Sequence, residues 1–309
     1  QTCYDGVFNL VGFTLHGASQ ATGDVADISG TTIELDDGIV DGLVGGPFLI
    51  EITSGFAAGA VNLITASDAG TDTITTENDL DAAGVDADDT FLIRACPTLG
   101  SIFGTGDNVT INKGGDEFSA DVIFVPAGGG SFDQYYHTPD VVFGEFTVNG
   151  DWFKVGGAGG QAGTPLVYTD AVYVFNRSGS NYDLVISGEV KTTPAKIALP
   201  DDFNYISAVF PVGTTLDDSG LADSPGFLKG GDEFSGDVIF MPDSNNPGSF
   251  LQYYHTPDVV FGEFTVNGQW TQVGGGPAGG VTMTDGIIIQ RRAAAPYNAD
   301  LSVPTSWGN

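Results

Sequence analysis

Gln134-Tyr-Tyr-His-Thr-Pro-Asp-Val-Val-Phe-Gly-Glu-Phe-Thr-Val-Asn-Gly150 recurs residue for residue from Gln252 to Gly268. Upstream, Lys113-Gly-Gly-Asp-Glu-Phe-Ser-Ala-Asp-Val-Ile-Phe124 returns as Lys229 to Phe240 with one change, Gly236 for Ala120. The second copy gains two residues in the loop before Ser249. Beyond these blocks Thr98-Leu99 aligns with Thr215-Leu216, Thr169-Asp170 with Thr284-Asp285, and Asp183-Leu184 with Asp300-Leu301. A solenoid of short units has periods up to about 50 residues, so a repeat this long marks duplicated domains.

The local pattern inside each copy is β. The runs Val142 to Val148 and Asp151 to Val155 flank Asn149-Gly150, the strongest short signal for a type I′ hairpin, whose two central residues take positive φ. That register sets Phe146 against Phe153, Thr147 against Trp152 and Glu145 against Lys154. Both faces then carry large apolar groups, and the hairpin is expected to be covered on both sides. A second hairpin is expected between Ala171-Val-Tyr-Val-Phe175 and Asp183-Leu-Val-Ile186.

The first 97 residues hold short β-branched runs at Thr31 to Leu35, Pro47 to Ile52, Val61 to Ile64, Thr71 to Thr75 and Phe91 to Arg94, separated by Gly, Asp and Asn. They predict a small barrel of five or six strands. Helical periodicity is confined to one turn over Asp79 to Gly84. The expected fold is all-β, with an N-terminal small β-barrel (1–97) followed by two tandem duplicated β-sandwich or barrel domains (98–190 and 191–309).

Nine Lys and Arg stand against forty Asp and Glu, a net charge of −31 over 309 residues. Nothing here can neutralise a row of phosphates, which excludes nucleic acid as a partner and argues against anionic lipid. Aromatic residues make up 11% of the chain and apolar residues 41%, which separates it from disordered acidic tails. Within 1–97 Arg94 is the only basic residue against sixteen acidic ones. No apolar run approaches the ~18 residues of a membrane-spanning helix, so no membrane insertion is expected.

The chain opens on Gln1 without Met, which reads as a mature exported product. In an exported chain its two cysteines, Cys3 and Cys96, are expected to form one disulfide, the alternative being two buried free thiols. Val11-Gly-Phe13, Ser29-Gly-Thr-Thr-Ile33, Pro47-Phe-Leu-Ile-Glu-Ile-Thr-Ser-Gly55, Ala58-Gly59, Thr90-Phe-Leu-Ile-Arg94 and Thr98-Leu-Gly-Ser-Ile-Phe103 resemble a family of exported, Gly-rich bacterial proteins of unassigned function. The resemblance implies secretion and β structure and brings no catalytic residues with it.

Gly114-Gly-Asp-Glu-Phe118 and its copy Gly230 to Phe234 spell the diguanylate cyclase signature, but that family carries it on a cytosolic α/β domain. Without that context the motif reads as a turn leading into a strand. Tyr135-Tyr-His-Thr-Pro-Asp140 and its copy hold the most enzyme-like residues. His137 and Asp140 have no nucleophile motif beside them, and Thr-Pro-Asp fits a turn with Pro at its second position. The acidic loops Asp36-Asp37 with Asp41, Asp86-Ala-Asp88-Asp89, Asp201-Asp202 and Asp217-Asp218 offer oxygen ligands for Ca²⁺, with Asp86, Asp88 and Asp89 as the leading set. Asn108 and Asn176 head glycosylation sequons.

The expected function is that of a secreted, non-enzymatic structural subunit that assembles with copies of itself into an extracellular filament, sheath or surface layer. Val7, Phe8, Leu10, Val11 and Phe13 belong to an N-terminal segment able to add as a strand to a neighbour's sheet, or to pair within its own barrel. The alternative is a polysaccharide-binding module presenting Tyr135, Tyr136, Trp152, Tyr253, Tyr254 and Trp270 to sugar rings.

Overall fold

The computed structural model describes every residue except 37, 144–145, 212, 262–263, 284–285 and 308–309. With 40% strand against 6% helix the chain is all-β, as its turn-punctuated runs imply. Two short strands, β1 (Thr2–Cys3) and β2 (Phe8–Gly12), precede six that close a barrel: β3 (Ser19–Ser29), β4 (Thr32–Leu35), β5 (Phe48–Ile52), β6 (Val61–Asp68), β7 (Thr73–Thr76) and β8 (Thr90–Ala95). After a short helix, α1 (Leu99–Phe103), come β9 (Val122–Pro126), β10 (Phe132–His137), β11 (Val141–Phe143), β12 (Phe146–Val148), β13 (Trp152–Lys154), β14 (Ala171–Phe175) and β15 (Tyr182–Asp183). The remaining strands are β16 (Ala195–Leu199), β17 (Phe203–Ser207), β18 (Val238–Pro242), β19 (Phe250–His255), β20 (Val259–Phe261), β21 (Phe264–Val266), β22 (Trp270–Gln272), β23 (Gly286–Gln290) and β24 (Tyr297–Leu301).

The barrel runs in the order β3-β4-β7-β6-β5-β8. Period-two alternation sends Ile33 and Leu35 of β4, Ile74 of β7 and Phe91 and Ile93 of β8 inward, where they meet Val25, Ile50 and Ile52. Strand β3 escapes sequence reading. Its Ser, Gly, Ala and Asp residues have low strand propensity, and Val25 is its one fully buried side chain. It forms because β4 and β8 pair with it on either side. Gly30, at φ +64°, makes the two-residue connection that folds β3 onto β4.

Strand β5 is buried on both faces. Ile50 and Ile52 fill the barrel, while Leu49 joins the separate core beneath the sheets. The near-continuous apolar run Pro47 to Ile52 thus marks the wall where the barrel is covered from outside.

The other strands build two five-stranded antiparallel sheets, β13-β10-β9-β14-β2 and β22-β19-β18-β23-β17. The pairings His137↔Trp152 and Tyr136↔Phe153 in the first match His255↔Trp270 and Tyr254↔Thr271 in the second. β1 pairs with β15, and β16 with β24. The sheets touch through Leu10, Ala171 and Ile288, ringed by Tyr173, Tyr205, Phe240 and Phe250. They meet at a glycine, since a Cβ on Gly286 would lie 2.9 Å from Leu10 Cγ.

Asn149-Gly150 does not fold β12 and β13 into a hairpin. Instead β12 turns back onto β11, and β13 pairs with β10. Asp140 and Thr138 determine this: Gly150 N donates to Asp140 Oδ1 (2.5 Å), and Asp151 N donates to Thr138 Oγ1 (3.0 Å). These bonds close the base of an arm whose valines are exposed rather than covered on two sides. The proposed contact of Glu145 with Lys154 involves a residue outside those described; Lys154 pairs with Asp133 (2.6 Å).

Ala171–Phe175 and Asp183 form no hairpin, because β14 lies between β9 and β2 while β15 pairs with β1. The N-terminal segment does not enter the barrel either: β2 is an edge strand on β14, in register Val11↔Val172 and Asn9↔Val174.

Cys3 and Cys96 are free, buried thiols and no disulfide joins them. Cys96 Sγ donates to the carbonyls of Pro97 (3.3 Å) and Leu166 (3.7 Å), while Cys3 lies in β1 beside β15. Burial pushes the Cys3 thiol up to about 11 and that of Cys96 up to about 12, which leaves both unreactive at neutral pH.

Candidate functional site

The repeated blocks form the same two surface features twice. In the first, Gly114 packs so closely on Ser119 and Ala120 that a Cβ there would clash with Ala120 N, and a Cβ on Gly230 would clash with Gly236 N. Asp116 accepts from Ser119 N (2.9 Å) and Ser119 Oγ (2.6 Å), and Asp232 repeats both bonds with Ser235. The motif is therefore a hydrogen-bonded turn, as its context implies, and it leaves Phe118 77% and Phe234 75% exposed.

The second feature is the arm. Between the paired His137 and Trp152 the chain leaves the sheet as the isolated two-stranded ribbon β11–β12, and β20–β21 does the same between His255 and Trp270. Val142 is 67% exposed and Val148 59%; their counterparts Val260 and Val266 stand at 66% and 59%. Each ribbon presents unpaired strand edges and apolar side chains to solvent, an arrangement that folded proteins usually avoid.

Most of the aromatic candidates for sugar binding lie in the interior. Tyr135, Trp152, Tyr253 and Trp270 are all buried to 5% exposure or less, so their faces cannot stack on a ligand. Trp152 donates from Nε1 to Gly104 O (2.9 Å) and meets His137 edge-on at 5.3 Å; Trp270 meets His255 at 5.2 Å. Tyr136 and Tyr254 are half-buried, with Tyr136 stacked on Phe153. His137 is likewise a core group. Its Nδ1 lies 2.7 Å from Thr138 O, and burial lowers its basicity. Aromatic surface does occur along the seam between the sheets, where Phe8, Phe124, Phe132, Tyr173 and Phe250 line a shallow groove of 390 Å³.

The acidic loops spend carboxylate oxygens on backbone and hydroxyl donors of the chain itself. Asp89 is 8% exposed and accepts from Ser54 Oγ (3.1 Å) and Asp86 N (3.0 Å), while Asp88 sits at φ +70° in the tight loop. Asp36 accepts from Asp24 N, Asp201 from Gly129 N and Asp218 from Thr215 Oγ1; Asp37 lies outside the described residues. Among the described residues no three His, Cys, Asp or Glu side chains converge on one point. Asn176 is fully buried and donates to Cys3 O and Ser180 O, which removes it as a glycan acceptor, whereas Asn108 is exposed.

Sequence reading missed a buried ionic cluster where the barrel, the first sheet and the segment joining the sheets meet. Glu51 of β5 and Arg94 of β8 project from the covered outer wall of the barrel, with Arg94 Nε 3.0 Å from Glu51 Oε2. Lys191 Nζ bonds Glu51 Oε1, and Thr193 Oγ1 bridges the pair at 3.0 Å from Oε1 and 2.8 Å from Nζ. Tyr168 OH approaches Oε2 (3.4 Å), and Arg94 reaches Gly17 O (3.2 Å) and Glu189 (3.4 Å). His16 packs on Tyr168 with its Nε2 buried and unpartnered.

Burial pushes the Glu51 carboxyl up, but the charges and hydrogen bonds of Lys191 and Arg94 outweigh it and hold the group below the usual range. Burial also lowers Lys191, against the attraction of Glu51. The available signals were a lone Glu inside Phe-Leu-Ile-Glu-Ile and the only basic residue of the first 97.

A cleft of 470 Å³ opens beside this junction, lined by Asn62, Glu77, Asp170, Asp201 and Asn204 among others. Burial, then the charge of Glu77, pushes the half-buried Asp170 carboxyl up to about 7. The folded chain then keeps a proton that the unfolded chain releases near pH ~4. This contribution to stability is complete below pH ~4 and is lost as pH rises through 7. Asp170→Asn should flatten the fall of Tm between pH ~4 and 7; an unchanged slope would count against this assignment.

Among the described residues no helix is long and apolar enough to cross a membrane. No family model, curated protein or solved structure matches the chain.

Proposed function

We propose that the chain is a secreted structural subunit that joins copies of itself through its two exposed arms. The carrying observation is the pair of isolated ribbons β11–β12 and β20–β21, with open strand edges and valines up to 67% exposed. An edge of this kind gains main-chain hydrogen bonds by receiving a further strand, and two such edges per chain allow growth beyond a dimer.

We further read the two five-stranded sheets as duplicated domains, with the barrel inserted into the first between β2 and β9. The matching strand order and the identical arm sequences support this reading. Their contacts also suit an internal pseudo-two-fold, since β2 touches β23 and β14 touches β17, each pair exchanging counterparts.

A net charge of −31 opposes association, so assembly should strengthen with ionic strength or Ca²⁺. Sedimentation and negative-stain microscopy across salt and Ca²⁺ concentrations provide the test. The native chain should form regular oligomers, and the double variant Val142→Lys, Val260→Lys should stay monomeric with an unchanged Tm. A native chain that is monomeric under every condition would refute the proposal. Sugar binding loses its support because four of its six aromatics are interior.

A further inference from the structure

We infer that Glu51 and Lys191 condense to an isopeptide bond, cross-linking the barrel to the segment between the two sheets. Both side chains are 1% exposed, and the Lys191 nitrogen is hydrogen-bonded to the Glu51 carboxyl. Two opposite charges sealed from water are costly to keep, and replacing them with a neutral amide and a released water removes that cost. Holding amine and carboxyl in contact also makes their reaction intramolecular.

The surrounding groups suit each stage. Transfer of one proton from the Lys191 ammonium to Glu51 Oε1 comes first and gives the free amine and the neutral acid. The nitrogen then attacks Cδ, and negative charge grows on Oε2, where Arg94 Nε (3.0 Å) and Tyr168 OH (3.4 Å) stand as donors. Thr193 Oγ1 touches both Nζ and Oε1 and can pass a proton from the nitrogen to the departing oxygen. The Nζ–Cδ bond forms and the Cδ–Oε1 bond breaks. Two of the three ammonium protons leave with Oε1 as water, one stays on the amide nitrogen, and no oxidant or reductant is required.

Arg94 keeps Glu189 as its counter-ion at 3.4 Å, so the product strands no charge. Burial supports the same outcome by lowering the basicity of Lys191 and favouring the free amine. The link would close a loop between residues 140 apart in sequence and restrict the unfolded chain as a disulfide does. It depends on no assembly, so it stands or falls apart from the proposed function.

Intact mass of the full chain under denaturing conditions tests the inference. The native chain should be lighter than its sequence by one water and should yield a branched proteolytic peptide joining the Glu51 and Lys191 segments. Lys191→Met should show its full mass. Glu51→Gln, which closes by losing ammonia, should arrive at the same mass as the native chain. A native chain of full mass with linear Glu51 and Lys191 peptides would overturn the inference, as would a water deficit that persists in Lys191→Met.

Discussion

Replacing Glu51 with Ala is expected to lower the unfolding free energy by about 3–5 kcal/mol. The variant strands Lys191 at 1% side-chain exposure, while Arg94 keeps the half-exposed Glu189 as its counter-ion. The loss should greatly exceed what the deleted side-chain volume would produce. Replacing both partners, Glu51→Leu with Lys191→Met, should restore the part of the loss due to the stranded Lys191, because no orphaned amine remains, but not the part due to the missing cross-link. Urea unfolding of the single and double variants measures the difference. A double variant no more stable than Glu51→Ala would show that the loss comes from the missing cross-link or the side-chain shape rather than from the stranded charge.

Trp152→Ala should cost about 3–5 kcal/mol, and Trp270→Ala a similar amount. Each ring is almost fully buried beneath its sheet and packs on a histidine and a phenylalanine: His137 and Phe103 for Trp152, His255 and Phe227 for Trp270. Removing the indole leaves a cavity that strands held by ladder hydrogen bonds cannot collapse to fill. Trp152→Ala also frees the carbonyl of Gly104, whose φ of +94° shapes the turn after α1. Thermal and chemical denaturation read both effects. If either variant unfolded like the native chain and only sugar retention changed, the interior placement of these rings would be wrong.

The expectations that held were those carried by residues close in sequence. Alternating Ile33, Leu35 and Ile74, bounded by Gly and Asp turns, suffice for barrel strands, and the Gly114 and Gly230 motifs suffice for turns. The expectations that failed depended on the choice of partner. Asn149-Gly150 favours a hairpin locally, yet Asp140 and Thr138 close the base of the arm and send Trp152 to pair with His137. Tyr135 and Trp152 read equally well as surface or core until the second face of their sheet is known. The Glu51 cluster draws on residues from Gly17 to Thr193, and no window of sequence contains it.

The sequence by itself determined an all-β chain with a small barrel, an internal repeat and an acidic surface, because side-chain periodicity, turn chemistry and charge are properties of short stretches or of the whole composition. Only the tertiary structure decided that β2 leaves the barrel for β14, that the cysteines stay apart, that the arms stand free, and that Glu51 meets Lys191. Each of these depends on which surfaces remain to be covered once the strands exist. That is settled by the joint packing of distant segments, where backbone hydrogen bonds must be completed and buried charges paired.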